Sequence, residues 1–141
     1  MLRIKRIQIE NYRSIKRLEI EPPLLCALVG PNNAGKSNIL TALDLLLGPR
    51  YPTEASLSAD DYYRRDQTLP PLIAADFEYH DEASFTQTMR IEFGPDPYAG
   101  GDLKLRYWGE GVQGRCGIVV NVLIVVYLAS ALRRRLAAGR R

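Results

Sequence analysis

The sequence predicts an α/β fold, and three observations predict it. Residues 24–47 pass from an apolar run through a glycine-bearing octapeptide into a helix-forming stretch. Residues 2–20 alternate apolar and polar side chains on either side of a polar break, as a β-hairpin does. Residues 72–108 hold three short β-rich runs separated by turn residues, the pattern of an antiparallel meander. Hairpin, strand–loop–helix unit and meander follow one another in that order.

The middle unit carries the chemistry. Gly30-Pro31-Asn32-Asn33-Ala34-Gly35-Lys36-Ser37 fits G-x-x-x-x-G-K-[ST]. The apolar run before it, Leu24-Leu25-Cys26-Ala27-Leu28-Val29, is expected to be a buried strand with Cys26 as a small core residue. The stretch after it is expected to be a helix, with Ile39, Leu40, Leu43, Leu46 and Leu47 apolar and Asp44 facing solvent. Strand, glycine loop and helix form the context in which this motif binds a nucleoside triphosphate. The loop's N–H groups wrap the phosphates, and the helix N-terminus adds its dipole. Lys36 then reaches the outer phosphates and the Ser37 hydroxyl holds Mg2+. The helix should stop at Gly48-Pro49, a residue suited to a helix end followed by one that cannot continue it.

In the first hairpin, residues 2–9 and 15–20 are the strands. Glu10-Asn11-Tyr12-Arg13-Ser14 is the break, and Glu21-Pro22-Pro23 the closing turn. Residues 50–71 are polar and turn-rich and include Asp60-Asp61-Tyr62-Tyr63-Arg64-Arg65-Asp66, with Ser58 as the cap of a short helix. The three later strands are expected over 72–79, 86–93 and 103–108. Met89, Ile91 and Phe93 share one face, as do Leu103 and Leu105. Residues 109–117 are glycine-rich. Residues 118–128 are dominated by Val and Ile and read as another buried strand. The apolar run there is shorter than the roughly 20 residues a bilayer-spanning helix needs. Residues 1–128 are thus expected to form one folded unit, and 129–141 a basic tail.

Composition limits the function. The chain has 141 residues, 46% of them hydrophobic, ordinary for one globular domain. Its net charge is +3 from 19 basic and 16 acidic residues. Five of those basic residues are Arg133, Arg134, Arg135, Arg140 and Arg141; without them 14 basic residues face 16 acidic. The body of the domain is therefore no basic nucleic-acid platform, and DNA binding would need a local patch. Cys26, Cys116 and His80 cannot make a zinc site. The N-terminus alternates apolar and basic residues without an apolar signal core, so a cytoplasmic location is expected. No membrane partner is expected.

Downstream motifs narrow the class. No D-x-x-G or N-K-x-D follows the loop, which argues against a small GTPase. The loop also follows a hairpin, whereas a nucleotide kinase places it at the first strand. Ile7-Gln8-Ile9-Glu10-Asn11-Tyr12-Arg13-Ser14-Ile15, with Val29–Leu40 and Ala42-Leu43, resembles the RecF/SMC-like group of ABC-type ATPases. Within that group the chain resembles the OLD-family ATP-dependent endonucleases. The asparagine–aromatic–arginine–serine segment and the G-P-N-N-A-G-K-S-N form of the loop carry the likeness, which spans residues 2–48 and fades beyond.

The resemblance implies an ATP-binding first lobe of an ATPase head, with ATP and Mg2+ as its ligands. It places Asn33 near the γ-phosphate and attacking water. Arg13 and Ser14, on the turn beside the loop, lie near the nucleotide. Asn32 and Asn38 shape the loop and the first helical turn. It further implies a homodimer or higher oligomer through the head, and a parent protein that acts on DNA as an endonuclease in repair or phage defence.

Some parts of such a head have no counterpart here. Leu72-Ile73-Ala74-Ala75-Asp76 resembles an apolar strand ending in a magnesium-holding acid, but Phe77 follows Asp76 and the run suits the meander. No L-S-G-G-like signature and no Toprim-type carboxylate set occur. No catalytic residue is therefore assigned. The alternative is a truncated ATP-binding regulatory or interaction module without catalysis of its own.

Overall fold

The computed structural model describes residues 2–48, 50–80, 86–98 and 100–110. Pro49, residues 81–85, the run at 118–128, Cys116 and the basic tail all lie outside the described residues.

Two strands open the chain. β1 (Leu2–Tyr12) and β2 (Ile15–Ile20) pair antiparallel through a two-residue connection, Arg13-Ser14. β1 also pairs antiparallel with β3 (Leu72–His80), β3 with β4 (Thr86–Pro95), and β4 with β5 (Leu103–Glu110). The hairpin and the meander are therefore one five-stranded sheet, in the order β2-β1-β3-β4-β5. β1 runs three residues beyond its expected end, and β5 takes in Gly109 and Glu110.

β1 breaks strict alternation once. Ile4 pairs with Phe77 and Arg6 with Asp76, so Lys5 is an extra residue opposite no partner. That bulge explains a spacing in the sequence. Ile4 and Ile7 lie three apart and would otherwise fall on opposite faces; the bulge returns both to the core side. At the far end Asn11 adopts left-handed backbone (φ +52°). Asparagine tolerates this conformation, and Tyr12 beyond it is buried with Ile9.

The core lies on one face of the sheet. Ile7, Ile9, Ile73, Ile91 and Phe93 project from the strands, and one helix covers them. That helix, α1 (Lys36–Leu47), buries Ala42 and Leu46 fully, with Ile39 and Leu43 partly buried. These four positions form the i, i+3, i+4, i+7 stripe of a surface helix. Leu40, one of the apolar positions of the helix, falls outside the stripe and is 59% exposed. Asp44 is exposed. Gly48 ends α1 in extended backbone, and a Cβ there would stand 2.0 Å from the Asp44 carbonyl oxygen. The glycine is needed for close approach, not for a left-handed turn.

The opposite face carries a ladder of ion pairs. Asp76 accepts from Arg6 Nε at 2.6 Å and Arg90 Nη1 at 2.9 Å, and Glu92 pairs with Arg90 and Arg106. Long arginine stems lie across the strands, so Ala74 and Glu92 are buried on a face that is charged at its surface. Asp76 thus lies on the side of the sheet away from α1.

The expected strand over residues 24–29 is not formed, and this part of the predicted α/β architecture is corrected. Leu24 is 73% exposed, Leu25 91% and Val29 91%, and Cys26 is exposed rather than a core residue. A strand apolar on both faces needs neighbouring strands for its backbone groups and layers above and below it. The described residues supply neither. The sheet is antiparallel throughout, with α1 on one face.

Residues 54–65 form three single 3-10 turns, Glu54–Ser56, Ala59–Asp61 and Tyr63–Arg65, where one short helix was expected. Ser58 is the residue before the second turn. Its N–H and hydroxyl both donate to Asp61 Oδ2, at 2.8 and 3.0 Å.

Candidate nucleotide-binding site

The octapeptide forms an exposed loop that ends as α1 begins. Gly35 is the residue before the helix and adopts φ +85°, a conformation in which a side chain is strained. Ala34 N–H donates to the Pro31 carbonyl at 3.1 Å, closing a turn at the loop's centre. Asn38 N–H and Ile39 N–H both donate to Gly35 O and open the helix. The N–H groups of Gly35, Lys36 and Ser37 have no acceptor among the described residues. They point from the positive end of α1, whose first turn has no acidic residue.

Lys36 folds back into the loop. Its ammonium donates to the carbonyl oxygens of Gly30 and Pro31, the latter at 2.6 Å. One cation, several free N–H donors and a helix N-terminus converge on a single exposed loop. This arrangement suits a polyphosphate anion. The exposed Ser37 hydroxyl lies at the same point for a cation that accompanies the phosphates. Asn32 and Asn33 are exposed, and neither side chain makes a hydrogen bond within the described residues.

The hairpin turn meets the loop through Ser14. Asn38 Nδ2 donates to Ser14 Oγ at 2.7 Å, and a Cβ on Gly35 would stand 3.2 Å from the same oxygen. The structure thus brings Ser14 and Asn38 together at the start of α1, across 24 residues of sequence. Arg13 turns the other way. Its Nε donates to Asp61 Oδ1 at 2.8 Å, its backbone N–H donates to Asp61 O at 2.9 Å, and its guanidinium lies 5.4 Å from the centre of the Tyr12 ring. In this structure Arg13 is therefore paired with a carboxylate, not directed at the loop.

Asp61 is the residue that motif reading does not find. It is 8% exposed and 48 positions from Arg13. Burial pushes its carboxyl up, but the Ser58 N–H, the Arg13 guanidinium and the Ser58 hydroxyl outweigh this and hold it below the usual aspartate range. Burial likewise pushes the Tyr12 phenol up; Arg13 opposes that shift, and Asp61 and Asp44 add to it. The sequence does contain one signal for Asp61: an acid three residues after Ser58 is a capping arrangement.

A glycine loop closing on a helix N-terminus, with a lysine and a serine at its end, has a shape and charge that suit a phosphate group. The AAA ATPase domain family matches residues 2–114, and the chain belongs to that family. Three curated proteins are similar over shorter stretches. The OLD nuclease of Thermus scotoductus is 35% identical over 85 residues, covering 60% of this chain and 15% of that protein. The chromosome partition protein Smc of Methanocaldococcus jannaschii is 41% identical over 49 residues, 34% of this chain and 4% of that one. The DNA double-strand break repair Rad50 ATPase of Methanopyrus kandleri is 50% identical over 48 residues, 33% of this chain and 6% of that one. The chain thus spans a small part of the length of each relative it matches.

Proposed function

We propose that the chain is an ATP-binding lobe of a RecF/SMC-like ATPase head, and that its parent activity is an OLD-like, ATP-dependent DNA endonuclease. One observation carries the nucleotide reading. Lys36, the free N–H groups of residues 35–37 and the Ser37 hydroxyl meet at one loop, and no acid among the described residues pairs with them there. Gly30, Pro31, Asn32, Asn33, Ala34 and Gly35 supply the loop's backbone. Lys36 neutralises the outer phosphates, and Ser37 is the ligand for Mg2+. Asn33 presents a free amide on the same exposed loop. Ser14 and Asn38 brace the first turn of α1 from outside. Arg13 belongs to the site through the turn it shares with Ser14.

The likeness to an OLD nuclease, a chromosome partition protein and a DNA double-strand break repair ATPase supports a head that works on DNA; a dimer or higher oligomer is what the family resemblance implies. Residues for hydrolysis are a different matter. Asp76, the acid that ends the apolar run of residues 72–75, is paired with Arg6 and Arg90 on the face away from α1. Binding without efficient turnover is therefore the expected behaviour of this chain.

Calorimetric titration of the purified chain with ATP and Mg2+ tests this. Saturable binding is expected, with a loss of at least about tenfold in Lys36→Ala, roughly what one charge-assisted contact provides. Equal affinity in both proteins, or no binding by either, would overturn the nucleotide reading. Rapid ATP turnover by the chain alone, abolished by Lys36→Ala, would overturn the claim that its catalytic carboxylates are absent.

A further inference from the structure

We propose that Asp61 is a positioning residue for the phosphate loop, acting through the hairpin turn of residues 12–14. The inference rests on the nucleotide reading and deepens it. Among the described residues Asp61 makes no hydrogen bond or ion pair to the loop. It holds the turn that does.

The turn is backbone that this sequence does not favour by itself. Asn11 and Arg13 both have left-handed φ, +52° and +49°. Arginine has no local bond that compensates for this conformation, as asparagine has. Such a turn persists only where its surroundings over-determine it. Asp61 provides that determination from both its backbone and its side chain. Its carbonyl accepts the Arg13 N–H at 2.9 Å, and its Oδ1 accepts Arg13 Nε at 2.8 Å. Its other oxygen is fixed in turn by Ser58, and the adjacent Tyr62 makes a β-bridge to Tyr12. The carboxylate is therefore locked before it grips the turn.

The next residue is Ser14. Its hydroxyl accepts from Asn38 at 2.7 Å and lies against Gly35, the residue whose φ of +85° opens α1. Each link from Asp61 to the loop is a direct contact: Asp61 to Arg13, Arg13 to Ser14 along the chain, Ser14 to Asn38 and Gly35. Releasing Arg13 lets the turn relax and withdraws Ser14 from the first turn of α1. The N–H groups of residues 35–37 then lose the orientation that converges on a phosphate.

The test is nucleotide titration of the full chain as wild type, Lys36→Ala, Asp61→Asn, Ser14→Ala and the Asp61→Asn/Ser14→Ala double variant, using ATP with Mg2+. Asp61→Asn and Ser14→Ala should each weaken binding by about fivefold or more, the scale of coupling between linked sites. The double variant should bind no worse than the weaker single one, because both changes act on one path. Coupling is reciprocal, so saturating nucleotide should slow amide exchange at Arg13 N–H, the group bonded to Asp61. A merely structural Asp61 would leave that exchange unmoved. Where Asp61→Asn fails to fold, Arg13→Lys keeps the charge but loses the Nε contact, and should weaken binding in the same way. Wild-type affinity in Asp61→Asn, losses that multiply in the double variant, or an unchanged Arg13 amide would each overturn the inference while leaving the Lys36→Ala result intact. No binding by wild type would overturn both readings at once.

Discussion

Leu40 and Leu46 share a helix and a chemistry, and the structure separates them. Leu46 is 4% exposed and packs into the core between α1 and the strands; Leu40 is 59% exposed. Replacing Leu46 by alanine removes three buried carbons, about 2.4 kcal/mol at roughly 0.8 kcal/mol each. The cavity left under α1 adds about 1 kcal/mol more, giving about 3–4 kcal/mol in all. That is a large share of a small domain's stability, about 5–15 kcal/mol. With a urea slope of about 1.5 kcal/mol/M, the midpoint should fall by about 2 M. Leu40→Ala should change stability by less than about 0.5 kcal/mol and hardly move the midpoint. Urea denaturation followed by far-UV circular dichroism reads both. Equal losses in the two variants would show that Leu40 is covered and that the packing of α1 is not as described. Little loss in Leu46→Ala would show that α1 is not docked on the sheet.

Other outcomes follow from single positions. Gly48→Ala places a Cβ 2.0 Å from a backbone oxygen that cannot yield easily, and should cost about 1–3 kcal/mol in the same denaturation assay. Acid should weaken the chain partly through Asp61. Its folded pKa lies below its unfolded one, so its contribution is complete above about pH 4 and is lost as pH falls through the folded value. The stability gap between wild type and Asp61→Asn should therefore be constant near neutrality and close below pH 4, as denaturation midpoints across pH will show.

Much of the fold was legible because its signals are local. The octapeptide needs no tertiary context to be recognised; alternation located the two strands of the hairpin, and turn-bounded β-rich runs located the three of the meander. Met89, Ile91 and Phe93 do share the inward face of β4, with Leu105 opposite Phe93. The bulge at Lys5 was present as a spacing, Ile4 to Ile7, that a regular strand cannot satisfy. Periodicity failed where a partner decides the outcome. An uninterrupted apolar run says that residues 24–29 suit burial, not that anything is available to bury them. On α1, Leu40 is adjacent to Ile39 and apolar; only the phase set by Ala42 and Leu46 excludes it. Alanine is a weak hydrophobic signal, so that phase was easy to misjudge. Asp61 escaped because its meaning is a contact across 48 residues. Its sequence neighbours announced a capped turn and nothing about the hairpin.

The lysine of the loop has a consequence for how a ligand arrives. With its ammonium seated on the carbonyls of Gly30 and Pro31, the loop has a cation at its centre and a defined shape. On the proposed nucleotide reading, association is an exchange of partners, carbonyl oxygens for phosphate oxygens, with little chain left to order. Entropy lost on binding is correspondingly small. On that reading the phosphates displace bonds that the loop's lysine makes to its own backbone.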